Sequence, residues 1–245
     1  KDAFENGTEW NPEEDEYDVA VWDGQSTNEP AYDPATKTYT IENGDELAWL
    51  ADQVNGVTRA ASNAVSGYNF VLAKDINLGD NEWTPIGGSG KYFAGTFDGK
   101  NYTVSNFQVT KQDGHAALFG NARATIKNLN VENVKIVSHH YAGAIVGQGY
   151  SKIDGCHVDN IDITLTTKNG DWGDKAGGII GQNCEGAGMY VKNSTAKNVT
   201  IKGYRDLGGI AGMAHNSNTV SGCHVENITI LQDLSVNYET NTPTT

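Results

Sequence analysis

Three carboxylates stand in one recurring context: Glu132-Asn133-Val134-Lys135-Ile136, Asp159-Asn160-Ile161-Asp162-Ile163 and Glu226-Asn227-Ile228-Thr229-Ile230. Side chains that recur in one context occupy one place in a repeated fold, so these acids are expected to line up at a common corner. Glu132 and Asp159, on successive units, would then lie about 5 Å apart, the separation at which a carboxylate pair can cleave a glycosidic bond. A fourth copy, Lys197-Asn198-Val199-Thr200-Ile201, puts a lysine in the place of the acid. A solvated corner is the plainer expectation for such a row.

Other candidates are more scattered. His157 and His224 each follow a cysteine that alternation directs inward, so both histidines point outward, with Thr195 on the unit between them. His139 and His140 precede Tyr141 in a connection, with His115 one unit earlier, and read as loop histidines rather than metal ligands. Arginine is limited to Arg59, Arg123 and Arg205, none of them in a patterned acidic face. The longest insertion, 166–175, carries Asp171, Trp172 and Asp174. An aromatic flanked by acids on a protruding loop can stack on a sugar ring or hold Ca²⁺. No other cofactor or metal is implied. Tyr141 and Tyr204, with Tyr150 and Tyr190, fall in neighbouring connections and would give one side of the molecule an aromatic character. Asp171, Trp172, Asp174, Tyr141 and Tyr204 are the candidate ligand-binding residues, and no residue stands out as catalytic.

The element that must position all of these is a repeat. The four units begin at Ile126, Ile153, Val191 and Val220, and each reads apolar, polar, Asn or Gly, then small or apolar, any, apolar, polar, Asn, apolar, any, apolar. A weaker copy is read from Val104-Ser105-Asn106-Phe107, lacking the second asparagine. Glycine-flanked apolar segments follow the units, as in Gly143-Ala144-Ile145-Val146-Gly147 and Gly177-Gly178-Ile179-Ile180-Gly181. Asn133, Asn160, Asn198 and Asn227 are separated by 27, 38 and 29 residues, so the motif is constant and the loops absorb the differences. Short strands with period-two alternation, bent where asparagine and glycine tolerate left-handed backbone, coil into a right-handed parallel β-helix. The four asparagines should stack as a ladder at one corner. Cys156 and Cys223 fall at a core position two coils apart, beyond the reach of a disulfide.

Ahead of the repeats, Leu47, Leu50, Ala51 and Val54 have helical spacing, with Asn43 or Asp45 as cap and Asn55-Gly56 as stop. This helix is expected to cover the first coil, whose strands are read at 70–72 and 76–78. The chain divides into an acidic lead (1–38), the capped coil (39–235) and a polar tail (236–245). The formal net charge is −14, and residues 1–30 hold ten acids against Lys1. Such a balance argues against nucleic acid, which needs basic patches. No apolar run is long enough to enter a membrane.

The stretches DELAWLADQVN, VLAKDINL, WTPIG and FAGTFDGKNYTVSNFQV, followed by AGAIVG, GGIIG and GGIAG, resemble the GLUG-repeat proteins over roughly 39–230. These are bacterial cell-surface β-helices, often labelled as adhesins. The resemblance implies an all-β, single-stranded parallel β-helix outside the cell or on its outer surface, lipid-anchored upstream of Lys1, and carries over no catalytic residues. The expectation is a non-enzymatic adhesion module for a glycan or a host surface protein. The alternative is a carbohydrate-active enzyme, lyase or glycosidase, on the same scaffold.

Overall fold

Alternation sets which side chains face inward, and the computed structural model shows the coil this produces. It describes residues 20–56, 65–112, 114–166, 174–186 and 188–232, and the backbone of 236–237 and 242–243. The chain forms a parallel β-solenoid of about six turns with one helix. Each coil crosses an eight-stranded face, then a six-stranded face, and returns through a four-stranded face with a small three-stranded sheet beside it. Apart from the antiparallel pair Ala31–Asp33 with Thr38–Ile41 and a register shift at 77–81, the strands of one face pair in parallel and in register, so equivalent residues of successive coils lie one above another about 4.8 Å apart.

The interior is built from these columns. One runs Phe70, Phe97, Ile126, Ile153, Val191, and others run Val109, Ile136, Ile163, Ile201 and Phe107, Val134, Ile161, Val199. All of these side chains are buried. Cys156 is buried in the column position that Ser194 fills one coil later, where the Ser194 hydroxyl accepts from the Cys156 N–H. In the last coil the inward positions Val220, Val225 and Ile230 are 45, 46 and 44% exposed, so the column ends are open there among the described residues.

Two corners rest on left-handed residues. Between the eight- and six-stranded faces these are Asn128, Gly155, Asn193 and Gly222, and within the six-stranded face they are Asn106, Asn133, Asn160, Asn198 and Asn227. Asparagine tolerates this backbone because its short amide bonds locally. Asn133 donates to Asn106 Oδ1 at 2.9 Å, Asn160 to Asn133 Oδ1 at 2.8 Å and Asn227 to Asn198 Oδ1 at 3.0 Å. The placement of Asn106 corrects the reading of the weak copy. Val104 pairs with Val131, not with Ile126, so Val104-Ser105-Asn106-Phe107 is the second half of a coil and Asn106 is its second asparagine. The first half is Thr96–Asp98, with Phe97 opposite Ile126.

The first coil is closed by helix α1 (Gly44–Asn55), which follows Thr38–Ile41 where later coils run into the six-stranded face. The Asn43 side chain accepts from the Glu46 N–H, the Glu46 carboxylate accepts from the Glu42 N–H, and Gly56 ends the helix at φ 69°. Leu47, Leu50, Ala51 and Val54 face the core. From the acidic lead, Trp22 is buried, stands edge-on to Trp83 at 5.6 Å, and bonds through its backbone to Asn77. Tyr39 completes the lid by stacking on Phe70 at 5.2 Å and meeting Trp49 of α1 at 5.3 Å.

Candidate functional site

Register places the acids of the repeat in one outward row, Ser105, Glu132, Asp159, Lys197, Glu226. Asp159 already accepts the Asn198 amide at 2.7 Å, and Glu226 lies 3.7 Å from Lys197 Nζ. Glu132 and Asp159 are neighbours of like charge, Lys197 separates them from Glu226, and Asp159, Lys197 and Glu226 have partners of their own at the surface, which is the behaviour of a solvated face. A groove on this face lined by Asp80 and Asp162 sets its two carboxylates three coils apart, about 14 Å, beyond the separation a glycosidase uses.

His157 points outward and bonds Thr195 Oγ1 at 2.8 Å, with His224 on the next coil. His139 Nδ1 bonds the Thr166 hydroxyl at 2.8 Å. His115 Nε2 meets Gln148 Oε1 at 2.9 Å, and Gln148 Nε2 donates to Gln182 Oε1 at 2.8 Å, which makes a hydrogen-bonded line across coils. Burial, with His140 adding to it, outweighs the Gln148 bond and holds the His115 pKa below its ordinary value. No three His, Cys, Asp or Glu side chains converge on a metal-sized site among the described residues.

The candidate ligand-binding residues fall in different places. Asp171 and Trp172 lie outside the described residues. Asp174 is fully buried and its carboxylate accepts from the Tyr204 N–H at 3.3 Å, so it ties two coils together and does not face solvent. Tyr141 packs beside His115, with ring centroids 5.3 Å apart, and has Lys175 Nζ 5.6 Å from its centroid.

A different group of side chains makes a concave surface. The glycine-flanked segments end in Phe119-Gly120-Asn121-Ala122-Arg123, Val146-Gly147-Gln148-Gly149-Tyr150, Ile180-Gly181-Gln182-Asn183-Cys184 and Ala211-Gly212-Met213-Ala214-His215. Because Ala122, Gly149, Asn183 and Ala214 are in register, Arg123, Tyr150, Cys184 and His215 form a column at the corner entering the eight-stranded face. Arg123 and Tyr150 border a groove of about 390 Å³ with Tyr68, Met189 and the outward row Asn69, Thr96, Thr125, Lys152. The Arg123 guanidinium lies 4.2 Å from the Tyr92 centroid and 5.2 Å from that of Tyr150. Tyr150 is 41% exposed and offers part of its ring to solvent. The groove thus combines aromatic faces, hydroxyls, an amide and two cations, which is the chemistry that binds sugar rings. Burial raises the Cys184 thiol pKa above its ordinary value despite Arg123 and Lys175, so the column holds no activated nucleophile.

No family model and no curated protein matches the chain. Its fold is similar to that of a solved Bacteroides ovatus protein titled a "putative immunoglobulin A1 protease", at 15% identity over 84% of this chain and 82% of that one, with a TM-score of 0.38. A likeness at that level says nothing of this chain's chemistry.

The residues of the groove that sequence reasoning missed include Arg123, Lys152 and Tyr68, and it also missed Tyr92, which packs on Arg123. The available signal was the alignment of the last residue of each glycine-flanked segment, which reads Arg, Tyr, Cys, His. A column of unlike residues does not announce itself as a pattern.

Proposed function

We propose that this chain is a non-enzymatic binding module of GLUG-repeat type, displayed outside the cell or on its surface, that recognises a glycan through the groove on the eight-stranded face. The acidic lead would space the coil from its anchor. The observation that carries the reading is the exposed Tyr150 ring, held beside Arg123 over a groove floored by Asn69, Thr96 and Thr125. A rigid aromatic face next to fixed hydroxyl and amide groups supplies stacking and orientation at small entropic cost, as sugar recognition requires. A rigid solenoid also suits a binding role, because its face does not need to move.

A glycan array probed with the whole chain tests this. Binding to a defined set of glycans, lost in Tyr150→Ala and retained in Glu132→Gln, is the expected result. A chain that binds no glycan yet adheres to host cells would shift the partner to a surface protein. Turnover of a bound oligosaccharide, abolished by Glu132→Gln or Asp159→Asn, would replace this reading with the carbohydrate-active enzyme.

A further inference from the structure

The geometry points to a carboxylate-bearing sugar as the occupant of this groove, an inference that rests on the glycan-binding reading and narrows it. The protein carries a net charge of −14, yet the groove lining contains two cations, Arg123 and Lys152, and no acid. Neither cation forms an ion pair with a described residue, in contrast to Lys74, Lys100, Lys127, Lys175 and Lys197, each of which meets a carboxylate. The acids of the same sheet face are engaged elsewhere. Asp98 holds Lys100, Lys127 and the Asn128 amide, and Asp154 accepts the Asn193 amide at 2.9 Å.

The setting of Arg123 makes the point sharper. The guanidinium lies against two rings, those of Tyr92 and Tyr150, which restrict where it can sit. Arg123 is exposed, and its guanidinium makes no hydrogen bond to a described residue. An exposed guanidinium with no hydrogen-bond partner among the described residues presents a planar fork that fits the two oxygens of a carboxylate. Lys152 stands on the strand that follows Tyr150 and adds a point charge to the same space. An uncharged sugar would leave both cations unanswered on binding, and a uronic or sialic acid would answer them. The exposed part of the neighbouring Tyr150 ring is placed to stack on the sugar ring itself.

Titration calorimetry of the whole chain with two matched pairs tests this: an oligogalacturonide against its methyl ester, and sialyllactose against lactose. The acidic member of at least one pair is expected to bind at least about tenfold more tightly than its neutral partner, with affinity falling as salt rises. Lys152→Gln and Arg123→Gln should each remove most of that preference. Lys152→Gln is the cleaner variant because, unlike Arg123, Lys152 makes no cation–π contact among the described residues, and a thermal melt of both variants confirms that they fold. Equal binding of acid and neutral members overturns the acidic-sugar inference and leaves the glycan reading in place. Binding of none of the four sugars overturns both.

Discussion

Asn198 gives its side-chain amide to Asp159 Oδ1 at 2.7 Å and not to Asn160, the asparagine stacked against it one coil earlier. The ladder is therefore interrupted at the coil boundary that carries the longest insertion, and an acid completes it. Asn133 stands in an uninterrupted part, donating to Asn106 and accepting from Asn160.

Replacing Asn133 should cost more than replacing a residue at the end of the ladder. Asn133→Ala loses two amide bonds and forces alanine to φ 56°, for about 2–3 kcal/mol in all. Asn133→Gly keeps the backbone easy and should cost about 1–2 kcal/mol. Asn227→Ala loses one bond, and Asp159→Ala removes one acceptor without a backbone penalty. Urea unfolding midpoints that rank Asn133→Ala as no worse than Asp159→Ala would show that the ladder contributes little.

The coil itself was legible because alternation and left-handed corners are local properties. Leu129 with Val131, and Val134 with Ile136, follow from period two, the left-handed Asn128 and Asn133 reset the alternation between segments, and all four are buried together with Ile126. Asn106 was misplaced for an equally local reason. Val104-Ser105-Asn106-Phe107 and Ile126-Lys127-Asn128-Leu129 have the same grammar, since both corners use a left-handed asparagine, and only the strand pairing separates them. The groove was less legible still. Arg123, Tyr92 and Tyr150 come together through register across coils and share no residue type. Asp174 looked like a loop acid from its neighbours, but its position next to Lys175 and Ala176 draws it into the packed corner.

Close approach between coils makes Gly181 irreplaceable. A Cβ there would stand 2.5 Å from Gly147 O, 2.7 Å from Ala142 N and 2.7 Å from Lys175 O. All three are backbone atoms, so nothing yields without shifting a strand, and Gly181→Ala should destabilise by about 3 kcal/mol or more. Gly188 offers the control. It has a positive φ, which Gly181 does not, but nothing lies within 4 Å, so Gly188→Ala should cost only about 1 kcal/mol. Similar melting temperatures for the two variants would contradict this account of the glycine-flanked segments.

The partly buried imidazole of His115 gives stability a pH dependence of known sign. Its pKa is depressed in the folded chain, from an ordinary value of 6.5, chiefly by burial and further by His140. Above that ordinary value both states are neutral and His115 contributes no slope. As pH falls through it, the unfolded chain takes up a proton that the folded chain refuses, and stability drops until the folded-state pKa is passed. His115→Gln should flatten this part of the profile, leaving the acid-side losses from carboxylates such as Asp98 intact. Chemical denaturation at a series of pH values from 7.5 to about 4.5 reads the difference. An unchanged slope in the variant would assign the acid sensitivity to other groups.

The three free thiols should separate by reactivity. Cys156 is fully buried, and burial pushes its pKa up to about 12, whereas Cys184 and Cys223 are partly exposed. At pH 8 only about one Cys156 side chain in ten thousand would be a thiolate even if reagent could reach it. A water-soluble alkylating reagent should therefore modify Cys184 and Cys223 in the folded chain and Cys156 only after denaturation. Mass spectrometry of digested protein counts the labels. Modification of Cys156 as fast as Cys223 under native conditions would mean that the middle coils open readily, and the column from Ile126 to Val191 could not be the rigid interior described above. Cys156→Ser separates packing from reactivity. Ser194 fills the same position one coil later, donating its hydroxyl to Lys192 O at 2.6 Å, so serine at 156 has a ready acceptor in Asp154 O, which the Cys156 Sγ already approaches at 3.6 Å. The variant should fold with a loss of no more than about 1–2 kcal/mol and leave the other two thiols equally reactive.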